Sequence, residues 1–134
     1  MSDAGIHGLE HIGIRVHDLD RSRRFYEGVL GFEFIAGPLG PEPVALLKHP
    51  AGLTLNLILN ADAAEMANLL MDVPQKSPGY THMALVVEDV TATMQHLEAS
   101  GVTITEGPVE FPGTRAIFVR DPDGNTIEFD ELIS

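Results

Sequence analysis

GLEHIGIRVHDLDRSRRFYEGVLGFEF (residues 8–34) and GYTHMALVVEDVTATMQHLEASGVTI (residues 79–104) are two versions of one pattern. Gly8 aligns with Gly79, His11 with His82, Val16 with Val87 and Asp18 with Asp89, all at one offset of 71 residues. A fixed internal offset marks a duplicated supersecondary unit. Each copy reads as an alternating or apolar strand, an acidic residue at a helix start, a helix, and a glycine before the next extended stretch.

The first helix is expected over residues 19–30, capped by Asp18 and closed by Gly31. The second is expected over residues 90–100, between Asp89 and Gly101. Three extended stretches follow each helix, at 33–36, 44–49 and 53–60, then at 102–106, 114–120 and 126–131. The order is βαβββ twice, with a first module at 6–60, a linker at 61–78 and a second module at 79–134 in one domain of 134 residues. Asp121-Pro122-Asp123-Gly124-Asn125 predicts a tight hairpin, and residues 38–43, bounded by prolines, predict a loop. Residues 63–71 suit a short linker helix with Asp62 as its cap.

Composition excludes several roles. Eight Lys and Arg against 20 Asp and Glu give a net charge of -12, which repels nucleic acid and anionic lipid. The chain has no cysteine, so a disulfide, a thiolate ligand and a thiol nucleophile are all ruled out. The opening Met1-Ser2-Asp3-Ala4-Gly5 has neither the basic nor the apolar part of a secretory leader, and no apolar run nears the ~20 residues of a membrane span. The expectation is a cytoplasmic protein.

Strand side chains alternate between faces, so parity sorts the candidates. Ile12, Ile14 and Val16 fall opposite His11, Gly13, Arg15 and His17; Leu55 and Leu57 fall opposite Thr54, Asn56 and Ile58. In the second copy Met83, Leu85 and Val87 oppose His82, and Ile127 and Phe129 oppose Glu128 and Asp130. One face is core and the other carries His11, Asn56, His82 and Glu128. Two imidazoles and a carboxylate suit one divalent ion (Fe(II), Mn, Ni, Co or Zn) with positions left open for water or substrate. His7, His17, His49 and His96 are expected to be solvated side chains, as are Arg21, Arg23 and Arg24.

At these residues the chain resembles the vicinal oxygen chelate superfamily of glyoxalases, bleomycin resistance proteins and extradiol dioxygenases. HIGIRVHDLDRSRRFYEGVLGFEF, YTHMALVVEDV and FVRDPDGNTIEF carry the resemblance. It implies an α+β fold in which two tandem βαβββ modules form a curved mixed sheet around a metal site, in a homodimer. The pattern is most similar to bacterial glyoxalase I. That implies His11, His82 and Glu128 as ligands, Glu128 as the proton carrier, and Arg15 and Asn60 as substrate-binding residues. The implied chemistry is isomerisation of a small hemithioacetal-like molecule through a metal-stabilised enediolate. Asn56 departs from the pattern, since the family has a second carboxylate ligand there; its amide oxygen is a neutral candidate donor. Three alternatives remain within the resemblance: a fosfomycin-type thiol transferase, an extradiol dioxygenase, and a non-catalytic small-molecule binding protein. The chain lacks the basic C-terminal segment of the first and the penultimate-strand tyrosine of the second.

Overall fold

In both modules an aspartate fixes where the helix begins. Asp18 Oδ1 accepts from the Asp20 amide at 3.0 Å, and Asp89 Oδ1 accepts from the Thr91 amide at 2.9 Å. Each cap satisfies a donor that the first helical turn leaves unpaired. The computed structural model, which describes residues 4–62 and 67–133, then runs β1 (Ile12–Arg15), α1 (Leu19–Tyr26), β2 (Glu33–Leu39), β3 (Val44–His49), β4 (Leu53–Ile58), β5 (His82–Val87), α2 (Val90–Ala99), β6 (Glu106–Phe111), β7 (Thr114–Arg120) and β8 (Thr126–Leu132). The βαβββ order occurs twice. The chain gathers into two compact units, Met1–Asp62 and Ala63–Ser134.

In the first unit the sheet order is β1-β4-β3-β2, with β1 parallel to β4 and the other pairs antiparallel. Alternation along β4 buries Leu55 and Leu57 in the core and leaves Thr54, Asn56 and Ile58 on the other face. Phe25 and Tyr26 from α1 meet edge to face at 5.0 Å, and Tyr26 meets Phe32 at 5.8 Å. Burying each such side chain contributes roughly 1.5–3 kcal/mol.

Helix α1 stops at Tyr26, short of the expected residue 30, because the chain widens there into a turn. The Leu30 amide reaches Phe25 O at 3.2 Å, and the Phe32 amide reaches Tyr26 O at 2.9 Å around Gly31, whose φ is 81°. These bonds satisfy the last carbonyls of the helix. Arg23 is not simply solvated as expected. It pairs with Glu27 and lies over the Phe34 ring at 4.1 Å. His49 also departs from expectation: its Nδ1 accepts from the Ala51 amide at 3.0 Å, so Nε2 donates to Leu30 O at 3.1 Å. The ring ties the β3–β4 turn to the end of the helical segment.

The second unit repeats the plan as β5-β8-β7-β6, with β5 parallel to β8. Ile117, Val119 and Ile127 are fully buried, and α2 packs against β7 and β8. The Asp121 hairpin forms as expected, with Asp121 Oδ1 accepting from the Asp123 and Asn125 amides at 2.8 Å each.

Of the expected linker helix, residues 63–66 lie outside the described residues and 67–71 are not helical. Residues 67–72 are instead part of the second unit and are tied to its hairpin and to β7. The Asn68 amide donates to Asp123 O at 2.8 Å, and Arg120 clasps Asp72 through Nη2 at 2.7 Å and Nε at 3.0 Å.

Two strands lie elsewhere than periodicity placed them. The strand expected at 102–106 is β6 at Glu106–Phe111, and β2 continues through Pro38 to Leu39. The sequence pattern reads Gly-Pro as a breaker. Here Pro38 and Pro108 sit on outer strands where the register shifts, between Ala36 and Leu39 and between Glu106 and Val109. A missing amide hydrogen is tolerated at such positions. Among the described residues no helix is long and apolar enough to cross a membrane.

Candidate metal centre

Pairing of β5 with β8 sets Ala84 opposite Glu128 and His82 opposite Thr126. His82 and Glu128 are therefore diagonal neighbours on one face. Their side chains meet, with His82 Nε2 2.8 Å from Glu128 Oε1. The other ring nitrogen, Nδ1, is held by Thr81 Oγ1 at 2.8 Å. A hydroxyl can donate or accept, so this contact persists whether Nε2 carries a proton or gives its lone pair to a cation. Phe118, opposite Glu128 on β7, meets the His82 ring edge to face at 5.8 Å and walls the pair.

Glu128 is only 8% exposed. Burial, chiefly, pushes its carboxyl above the ordinary range; the neighbouring Asp130 adds to the rise and His82 draws it back. A carboxyl in this setting favours a proton or a cation. Asp130 is a residue the sequence reasoning passed over. Its place two residues beyond Glu128 put it on the same face, but nothing distinguished it from a solvated strand-end carboxylate. Its Oδ1 is in fact buried and has no hydrogen-bond partner among the described residues.

In the first unit His11 immediately precedes β1, and its Nδ1 lies 2.6 Å from Glu10 Oε1. An ionised carboxylate only accepts, so the neutral ring carries its proton on Nδ1 and keeps the Nε2 lone pair for a ligand. Both histidines thus have Nδ1 engaged by the preceding residue, a regularity visible in the sequence only as the dipeptides Glu10-His11 and Thr81-His82. Asn56 pairs with Gly13 on β1 and Leu46 on β3. Its Oδ1 is buried and likewise makes no hydrogen bond among the described residues.

The structure also brings together Arg15 and Asn60. Arg15 Nε donates to Asn60 Oδ1 at 2.9 Å, and Asn60 Nδ2 contacts Glu42. Among the described residues, no group of three His, Asp or Glu side chains within either unit surrounds a common point. The second unit offers a pair, His82 with Glu128; in the first, His11 stands two residues before Gly13, the β1 partner of Asn56. Imidazole nitrogen, carboxylate oxygen and amide oxygen fit a divalent ion of hard or borderline character.

The profile of the Glyoxalase/Bleomycin resistance protein/Dioxygenase superfamily matches residues 8–129. Lactoylglutathione lyase of Haemophilus influenzae is 37% identical over 129 residues, spanning 90% of this chain and 90% of that protein. A probable lactoylglutathione lyase of Vibrio cholerae is 32% identical over 130 residues, spanning 91% of this chain and 88% of the relative. Among solved structures, the glyoxylase/bleomycin resistance protein/dioxygenase domain from Frankia sp. EAN1pec gives a TM-score of 0.80 at 23% identity, covering 96% of this chain and 100% of that one. That last likeness is one of fold.

Proposed function

The chain belongs to the Glyoxalase/Bleomycin resistance protein/Dioxygenase superfamily, and from that premise we propose that it is a divalent-metal-dependent enzyme of the glyoxalase I type, isomerising a small hemithioacetal-like substrate. The observation that carries this reading is the 2.8 Å approach of His82 Nε2 to the buried Glu128 carboxyl. The names of the lactoylglutathione lyase relatives support the substrate class.

His11, His82 and Glu128 would hold the ion, which we take from Ni, Co, Zn, Mn and Fe(II), with Asn56 as a neutral fourth donor. The ion supplies Lewis-acid polarisation of a substrate oxygen, which acidifies the neighbouring C–H. Glu128 takes the proton from that carbon and returns it to the adjacent one. Burial, with a smaller contribution from Asp130, raises its carboxyl above the ordinary range, so its carboxylate is a stronger base than an exposed one. The Thr81 and Glu10 contacts hold the two imidazoles in orientation. Arg15, already paired with Asn60, would take a substrate carboxylate. A homodimer and a cytoplasmic location complete the proposal.

The test is direct. The purified protein is analysed for metal, reconstituted with each of the five ions, and assayed for conversion of a 2-oxoaldehyde–glutathione hemithioacetal to the thioester. Stoichiometric metal with turnover supports the reading; no turnover with any ion removes the lyase assignment.

A further inference from the structure

We propose that residues 70–79 form a lid beside His82, latched by Arg120 through Asp72, which opens to admit a ligand to the His82–Glu128 pair. The inference rests on the placement of the site at that pair and adds a control of entry to it, whatever the ion or the reaction.

Thr126 is paired with His82 on β5 and with Arg120 on β7. Residues directly opposite one another point to the same face of a sheet. Arg120 therefore stands in one row with His82, on the face that carries Glu128. The row lies at the Asp121 hairpin end, where Thr126 and Glu128 are buried; at the other end of that face Val86 and Leu132 are exposed.

Every N–H of the Arg120 guanidinium is engaged. Nε and Nη2 grip Asp72 as a fork. Nη2 also donates to Glu106 Oε1 at 2.8 Å, and Nη1 donates to Thr105 Oγ1 at 2.8 Å and to Val119 O at 3.3 Å. With its five donors spent, the group is a positioning device rather than a receptor for an anion. What it positions is the segment that leads into β5.

That segment is a loop whose ends meet. Leu70 Cδ2 lies 3.4 Å from the place a Cβ on Gly79 would take, so Leu70 packs on the Gly79 backbone. Just before the loop, Asn68 is moored to the hairpin: its amide donates to Asp123 O and its Nδ2 to Asn125 Oδ1, both at 2.8 Å. Just after it, Thr81 Oγ1 holds His82 Nδ1 at 2.8 Å, so movement of the loop reaches the imidazole. Surface loops closed in this way are frequently functional. Asp72 and residues 74–81 are exposed, and a segment with few buried contacts opens locally while the sheet stays intact.

The experiment reads opening and access separately, on the full chain with metal removed by a chelator. Opening is followed by hydrogen exchange at the amides of residues 68 and 72. Access is followed by the rate at which diethyl pyrocarbonate modifies His82, with the exposed His96 on α2 as reference. Asp72→Ser removes the latch, and Asn68→Ala removes the side-chain mooring. A partly exposed ion pair shifts such an equilibrium by up to about fivefold. Exchange and His82 modification should both rise by about that factor in Asp72→Ser, and in the same direction in Asn68→Ala, with His96 unchanged. Unchanged exchange, faster exchange without faster His82 modification, or an equal rise at His96 would each overturn the inference. Neither reading uses metal or substrate, so failure of the lyase assay leaves this result as it stands.

Discussion

His82 and Glu128 touch across the parallel β5–β8 pair although they are not opposite each other: the residue facing Glu128 is Ala84, two positions beyond the histidine. The small side chain at Ala84 leaves the space through which the two longer ones converge. That convergence makes the consequences of altering either residue separable.

Glu128→Gln keeps the size and one oxygen of the side chain but cannot carry a proton. Turnover on the hemithioacetal should fall by about 10²–10⁴-fold, while metal content measured by elemental analysis falls far less. Equal losses in the two measurements would reduce Glu128 to a ligand.

Replacing His82 with Ala removes a ligand nitrogen and should cost at least about 100-fold in metal affinity, more than loss of the partner of a ligand. Glu10→Gln loosens only the Nδ1 contact of His11, so a drop of about tenfold is expected by the same comparison. Competition with a chromophoric chelator ranks the three proteins, and unchanged affinity in His82→Ala would remove the histidine from the site.

Gly107 has φ 95°, and a Cβ there would lie 2.5 Å from the backbone oxygen of Ala116. The obstacle is backbone, so it cannot swing aside. Gly107→Ala should destabilise by about 2–4 kcal/mol in urea unfolding. A change below about 0.5 kcal/mol, the size of an ordinary surface substitution, would mean β6 relaxes freely.

The Arg120 guanidinium holds the Asp72 carboxyl below its ordinary range, mainly by hydrogen bonding. A carboxyl lowered on folding stabilises the native state above its unfolded pKa, about 3.9, and that contribution is lost as pH falls through the lower folded value. Asp72 is 40% exposed, so solvent screening limits the pair to at most about 1 kcal/mol. Asp72→Asn should therefore melt below wild type at pH 7, and the gap should close in acid. A gap that persists in acid would assign the loss to packing.

The duplicated motif made the module order legible because each copy combines strand parity, a capping aspartate and a closing glycine. The same parity put His82 and Glu128 on one face, where the structure pairs them. What escaped were features set by contacts distant in sequence. The Gly-Pro pairs look like strand breakers until the neighbouring strand reveals a shift in register. His49 looks solvated until Leu30 and Ala51 close around its ring. Asp130 looks like one more acidic strand end until its oxygen proves buried beside Glu128.

The irregular outer strands have a consequence for solubility at high concentration. A regular, exposed strand presents a continuous row of amides and carbonyls that can recruit another chain into a growing ribbon. Along β2 and β6 that row is broken midway by a slipped rung and a residue with no amide hydrogen. A strand adding at either border would meet that break partway along, even though β6 is open to water along its whole length.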